Sequence, residues 1–315
     1  MAVKGRPARP VYETASGRMF AGRAEDVLVQ PPFTGWHGKV QLLFTSPPFP
    51  LQREKRYGNL QGEAFAGWLS AFAPLFAQFL TATGSIVLEL GNGWNPGLPT
   101  MSTASLKALL AFQETARLHL CQEFICYNPA RLPTPIEWVN KRRCRVKDSF
   151  TRVWWLSPTP HPKADNRRVL TEYSGRMRRL LERGTVNMGK RPSQHHISQK
   201  SFRTDNGGAI PPNVLVPPPE DAQAVLPIPN TASCSPYRRT CRARGVLPHP
   251  ACMPEALVAF FVLFLTDPGD LVLDPFAGSN TTGAVAQEHG RRWLAVEADP
   301  AYAESSRVRF EPMAA

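Results

Sequence analysis

Two short segments, far apart in the chain, carry the residue types that a group-transfer site would need. An apolar run at 40–44 ends in Thr45-Ser46-Pro47-Pro48-Phe49. Much later, the apolar run 271–273 opens into Asp274-Pro275-Phe276-Ala277-Gly278-Ser279-Asn280-Thr281-Thr282-Gly283. In the second segment the small residues Gly278, Ser279 and Gly283 would let the backbone pass close to a ligand between a strand and a helix. Glu297 follows Asp274 by 23 residues. Dinucleotide folds place the acid that holds a ribose hydroxyl pair at about that distance, roughly 20 residues on.

The Asp274 loop lacks the GxGxxG spacing that cradles a pyrophosphate. A nucleoside cofactor without phosphate, with a charged amino-acid end, suits an Asp and a Gly-Ser-Asn-Thr turn better, and S-adenosylmethionine is such a molecule. The Ser46 segment suits an exocyclic amine. The nitrogen of such an amine is a poor nucleophile because its lone pair is delocalised into the ring. Acceptors on its protons, here the Ser46 hydroxyl and the Pro47 carbonyl, would aim the lone pair and ease loss of a proton. Pro47 and Pro48 would stiffen the loop, and Phe49 could stack on an extruded base. Transfer to an amine is direct and needs no cysteine nucleophile. In a chain with 32 prolines, Ser-Pro-Pro-Phe alone would read as a surface turn. Its place after a buried strand, paired with the Asp274 loop, points to methyl transfer onto an amino nitrogen of DNA.

The elements that must position these residues alternate between strand and helix. Strands are expected at 40–44, 85–90, 123–127, 153–156, 271–274 and 293–297. Helices are expected at 65–80, kinked or split at Pro74, and at 106–118, 255–265 and 282–288. This pattern predicts a doubly wound α/β fold with a Rossmann-like sheet. From 176 to 244 the chain turns to Arg, Ser, Pro, His and Asn, and buried strands are hard to find. A disordered loop and a DNA-contacting insert both fit this stretch; long loops in compact domains are usually functional, which favours the insert. The expected division is a first catalytic part at 1–171, a target-recognition region at 172–245 and a second catalytic part at 246–315.

A net charge of +12 and a pI near 9.8 suggest a polyanionic partner. Basic runs include Arg142, Arg143 and Arg145, then Arg176 to Arg191, then Arg238 to Arg244. Arg191 and His195 are further candidates for DNA contact. The six cysteines have no zinc spacing, so no metal is expected. The first residues lack a signal-peptide core and no apolar run could span a bilayer, so a cytoplasmic protein is expected.

The same segments resemble the β-group of DNA amino-methyltransferases, in which the catalytic motif comes first and the cofactor loop last, a circularly permuted order. Similarity to the PvuII-type cytosine-N4 branch covers nearly the whole chain: residues 45–59, 128–148, 200–213 and 278–283 all look like that family. Ser46 stands where adenine-N6 members usually carry Asp or Asn. The resemblance implies S-adenosylmethionine as cofactor and a flipped-out cytosine in double-stranded DNA as substrate. It implies a bacterial modification enzyme, paired with a restriction endonuclease or solitary, acting as a monomer. Ser46, Pro47, Pro48 and Phe49 would form the catalytic loop, with Thr45 and Glu89 beside it. Asp274, Phe276, Gly278, Ser279, Asn280, Thr281 and Glu297 would bind the cofactor, enclosed by His249 and Pro254. Relatives often have Gly-Asp near the N-terminus where this chain has Gly22-Arg23; Glu25 or Asp26 could substitute. Alternative readings are an adenine-N6 enzyme, a catalytically inactive DNA-binding relative, and an RNA or protein methylase.

Overall fold

The protein is described by a computed structural model covering residues 7–49, 60, 62–129, 131–184, 189–190, 196–197, 204–215 and 236–311. At its centre lie two short, wholly buried strands, β3 (Val40–Thr45) and β10 (Leu271–Asp274), paired in parallel. Both are rich in large apolar residues, as expected of strands covered on both faces, with Gln41 the one polar residue before the strand ends. From β3 the chain passes through α2 (Gly62–Ala71) and α3 (Ala73–Phe79) to β4 (Leu80–Leu90), which pairs with β3 on the side away from β10. From β10 it passes through α8 (Thr281–Glu288) to β11 (Arg292–Glu297), which pairs on the opposite side. Successive units therefore wind outward in both directions from the β3–β10 junction. Such a switch point leaves a crevice at the carboxyl ends of the two strands, where open α/β sheets bind ligands.

The full order adds β2 (Gly17–Ala21) and β1 (Pro10–Glu13) beyond β11. The single-turn helix α1 (Ala24–Val27) follows β2. Beyond β4 come β6 (Phe150–Ser157), β5 (His119–Tyr127) and the two-residue β9 (Val214–Leu215). β6 runs antiparallel to both β4 and β5, so β5 runs in the same direction as β3 and β10. Alternation along each strand divides the core between the two faces. Leu43, Ile86, Leu88 and Leu273 pack with Phe65, Leu69, Phe76 and Phe112, which lie on α2, α3 and α4 (Ala104–Thr115). Leu42, Phe44, Val87 and Val272 pack on the other side with α7 (Glu255–Leu265) and α8.

The expected split near Pro74 is present: α2 ends at Ala71, and Pro74 sits in the first turn of α3, where a missing N–H costs little. Two differences from the sequence expectation stand out. The β1–β2 hairpin is not announced by an apolar run, because its buried residues are few: Tyr12, Met19 and Phe20. The segment 176–244 is also less separate than its composition suggests. Besides α5 (Gly175–Arg183), it holds a small antiparallel pair, β7 (Gly189–Lys190) and β8 (His196–Ile197). β9 joins the edge of the main sheet beside β5 and buries Leu215. α6 (Pro236–Ala243) buries Tyr237 and Cys241 against the C-terminal turn Ser306–Arg309. Among the described residues, no helix is long and apolar enough to cross a membrane.

Candidate active site

A cavity of about 700 Å³ opens at the carboxyl ends of β3 and β10. Its size suits a nucleoside-sized ligand with part of a second one. Ser46, Pro47, Pro48 and Phe49 form one wall, and Asp274, Phe276, Gly278, Ser279 and Thr281 form the facing one. Glu297 closes the far end, and Glu89, His249 and Pro254 also line the space. Two segments more than two hundred residues apart thus face each other across one pocket.

The junction between them is a hydrogen bond. Thr45, fully buried at the end of β3, donates its hydroxyl to Asp274 Oδ1 at 2.7 Å. The same oxygen accepts the Phe276 N–H at 3.1 Å, and Oδ2 accepts the Thr282 hydroxyl at 2.6 Å. Asp274 therefore organises the loop as well as lining the cavity. Burial pushes its carboxyl up to about 6, against the lowering effect of the three donors.

On the opposite wall Ser46 donates its hydroxyl to Glu89 Oε2 at 2.6 Å. Glu89 comes from the adjacent strand β4, where an odd position in an otherwise apolar run turns a carboxylate toward the crevice. Desolvation raises its pKa above the ordinary glutamate value, opposed by hydrogen bonds from Ser46 and Thr151 and by the charge of Arg131. An acid held in this way is suited to accept a proton through the serine hydroxyl.

At the far end Glu297 accepts the Gly278 N–H at 2.8 Å and the Asp299 N–H at 2.9 Å, one on each carboxylate oxygen. Each oxygen keeps capacity for a further donor, and the residue lines the cavity, as binding a hydroxyl pair requires. Gly278 has φ +53°, and a Cβ there would lie only 3.0 Å from the His249 ring. That contact explains both the glycine and the histidine: the ring roofs the loop, stacked edge-on against Tyr302 at 4.7 Å. From behind, Arg309 donates to the Ser279 carbonyl at 2.6 Å and to the Thr281 hydroxyl at 3.1 Å.

Several expected residues take other places. Asn280 does not face the cavity. It sits at φ +52° as the N-cap of α8, accepts the Gly283 N–H at 3.0 Å, and donates its amide to Tyr12 at 3.0 Å. Its side chain is a buried brace between the loop and β1, set back from the cavity lining. Arg145 pairs with Asp148 at 2.9 Å and is largely buried, so it braces its own loop instead of offering a free charge to DNA. Arg142 and Arg143 are exposed, Arg142 lying over the Trp138 ring at 5.0 Å. Arg191 and His195 lie outside the described residues. Arg23 and Glu25 both line the cavity and pair with each other, whereas Asp26 does not line it.

Sequence reasoning missed Trp68, Arg131 and Thr151, which also line the cavity. Trp68 packs against Phe276 with ring centres 5.5 Å apart. The only sequence signal for Thr151 is its position at the start of β6, directly across from the end of β4. Among the described residues no cluster of His, Cys, Asp and Glu could hold a metal, and all five described cysteines are free.

Comparison with known proteins agrees with this geometry. Residues 40–308 match the family model for N6 and N4 DNA methylases, described as DNA methylase. The chain is 40% identical over 304 residues to the Type II methyltransferase M.PvuII of Proteus hauseri, covering 96% of this chain and 86% of that protein. It superposes on the solved PvuII DNA methyltransferase (cytosine-N4-specific) with a TM-score of 0.74 and 34% identity, covering 98% of this chain and 91% of that one. TTHA0409 of Thermus thermophilus, solved in complex with S-adenosyl-L-methionine, shares the fold at a TM-score of 0.51 and 20% identity, with 92% of each chain covered. The sheet with its switch-point cavity, the Ser-Pro-Pro-Phe loop and the Asp274 loop, together with these similarities, place the chain in the N6/N4 DNA methylase family.

Proposed function

We propose that this protein transfers a methyl group from S-adenosylmethionine to the exocyclic N4 of a flipped-out cytosine in duplex DNA, directly and without a covalent enzyme intermediate. The observation that carries the reading is the Ser46–Glu89 hydrogen bond in the cavity that the Asp274 loop also lines. The cofactor fits the residues present. Glu297 has acceptor capacity for the ribose hydroxyls, and the Gly278 backbone has no side chain to obstruct a close approach. Asp274, Phe276, Ser279 and Thr281 form the wall that would hold the remainder.

When bound, the cofactor supplies a methyl group on a positively charged sulfur. The chain's own residues then do the rest. The Ser46 hydroxyl oxygen and the Pro47 carbonyl accept the two amine protons, which turns the N4 lone pair toward the methyl. As the nitrogen–carbon bond forms, N4 gives up one proton to Ser46, and the serine proton passes to Glu89 over the 2.6 Å hydrogen bond. Phe49, held over Gly91, offers the aromatic face on which the extruded base stacks.

The Type II designation of the P. hauseri relative supports a modification enzyme paired with a restriction endonuclease; a solitary role is the other option. The protein acts as a monomer in the cytoplasm. Residues 172–245 serve as its target-recognition region, with the exposed Arg142 and Arg143 on DNA phosphates. Purified protein incubated with plasmid DNA and methyl-labelled S-adenosylmethionine tests the reading. Label in N4-methylcytosine is expected; label in N6-methyladenine would keep the family and overturn the substrate.

A further inference from the structure

The connection from β5 to β6, residues 128–149, leaves the sheet at the same edge as the cavity, because β5 runs in the direction of β3 and β10. Antiparallel neighbours are usually joined by about two to five residues, and much longer connections are usually functional. This one is built and pinned. Its neck closes where the Asn128 N–H donates to the Ser149 carbonyl at 2.6 Å. The Lys147 ammonium holds the Pro129 carbonyl at 2.7 Å and the Arg131 carbonyl at 3.2 Å. Arg145 ties the loop to Asp148 and to the Pro99 carbonyl.

What this frame presents is apolar. The two most exposed large hydrophobic side chains among the described residues are Val146, at 84%, and Leu132, at 74%; Ile136, on the same loop, is 58% exposed. None of the three contributes to the core, so folding does not account for them, and three large exposed apolar groups on one pinned loop point to a contact surface. Leu132 has the most telling position. The preceding residue, Arg131, lines the catalytic cavity and reaches the Phe150 carbonyl at 2.9 Å. One step along the backbone, about 3.8 Å, places Leu132 at the cavity rim. Pro133 and Pro135 restrict the chain just beyond it. On the same loop, Lys141 and Arg142 are 70% and 64% exposed and share Glu137 at 3.2 and 3.1 Å, which leaves one net positive charge on this stretch for a phosphate.

We infer that Leu132 is a wedge that enters the DNA base stack at the position the target cytosine vacates. The inference rests on the proposed reaction. The occupant is duplex DNA because the apolar residue directly follows Arg131, which lines a cavity with room for one extruded base, on a chain of net charge +12. Apolar side chains inserted between bases are an established means of unstacking a duplex. Filling the vacated space would oppose return of the base, whose extrusion costs free energy before any chemistry.

The test uses two duplexes carrying the site that sequencing of N4-methylcytosine identifies in cells expressing the protein. One is fully paired; in the other the target cytosine faces an adenine, so that pairing no longer holds it. Leu132→Ser should slow single-turnover methylation of the paired duplex by about tenfold or more, yet stay within roughly threefold of wild type on the mispaired one. Leu132→Phe, which keeps apolar bulk, should behave as wild type on both. S-adenosylmethionine affinity, measured by calorimetry, should be the same in all three proteins. Equal loss on both duplexes, or no loss on the paired one, would overturn the wedge. If wild-type protein methylates neither duplex at cytosine N4, the underlying reaction is wrong and the wedge falls with it.

Discussion

Thr45 donates its hydroxyl to Asp274 at 2.7 Å, although 229 residues separate them. The Ser-Pro-Pro-Phe loop starts at the residue after Thr45, and the facing loop starts at Asp274, so this one bond sets the two walls of the cavity against each other. Thr45→Val keeps the shape and removes the donor. Because the carboxylate is buried, the loss should cost about 1–3 kcal/mol of stability, read as a lower denaturation midpoint in urea. An unchanged midpoint would show that the two strands hold their ends in place without it.

Burial pushes the Asp274 carboxyl up to about 6, whereas in the unfolded chain it titrates near about 3.9. The folded state therefore favours the protonated acid. Its contribution is fully present below about pH 4 and is lost as pH rises through about 6. Asp274→Asn cannot ionise and retains an acceptor oxygen. Relative to wild type, the variant should gain stability between about pH 4 and pH 6, by up to about 3 kcal/mol, and hold that advantage above. Urea unfolding across that pH range checks this; a difference that does not change with pH would contradict it.

In the proposed reaction Glu89 takes the serine proton and must be ionised to do so, and desolvation raises its pKa. Turnover should therefore rise with pH through an acid limb placed above the ordinary glutamate value of about 4.3. Glu89→Gln should lower kcat by about 100-fold or more and abolish that limb, leaving S-adenosylmethionine affinity within a few-fold of wild type. Persistence of the same limb in the variant would assign it to another group.

Asn280 caps α8 from a left-handed backbone conformation and bonds Tyr12. Asn280→Ala loses the cap, the Tyr12 partner and the residue type that tolerates φ +52°. Asn280→Gly relieves the backbone and loses the rest. Alanine should be the more destabilising by about 1–2 kcal/mol, and neither should change the cofactor dissociation constant more than a few-fold. A large affinity loss in the glycine variant would place Asn280 in the cofactor site.

The parts of the fold that sequence shows best are those where one strand decides its own surroundings. β3 and β10 are buried on both faces, and their concentration of large apolar residues marks them. The loops that follow were legible for the same reason, since polar and small residues directly after such a strand have nowhere to lie but the crevice. Less legible was whatever depends on which elements become neighbours. Nothing local in Asn280 points to Tyr12 on the edge strand, nor in Arg309 to the loop it supports. Arg145 looks like any member of a basic run until Asp148 turns it inward. Thr151 and Arg131 reach the cavity only because β6 inserts between β4 and β5, an order that composition does not encode. The short β1–β2 hairpin lacked a periodic signal because it buries only Tyr12, Met19 and Phe20, too few to make an apolar run.

The central claim, methyl transfer to cytosine N4 through Ser46, is tested most directly on genomic DNA from cells expressing wild-type protein or Ser46→Ala. The DNA is digested to nucleosides and assayed by mass spectrometry for both methylated bases. The account predicts N4-methylcytosine with the wild type, reduced by about 100-fold or more with Ser46→Ala, and no N6-methyladenine from either. Equal N4-methylcytosine from both proteins, or N6-methyladenine in its place, would contradict it.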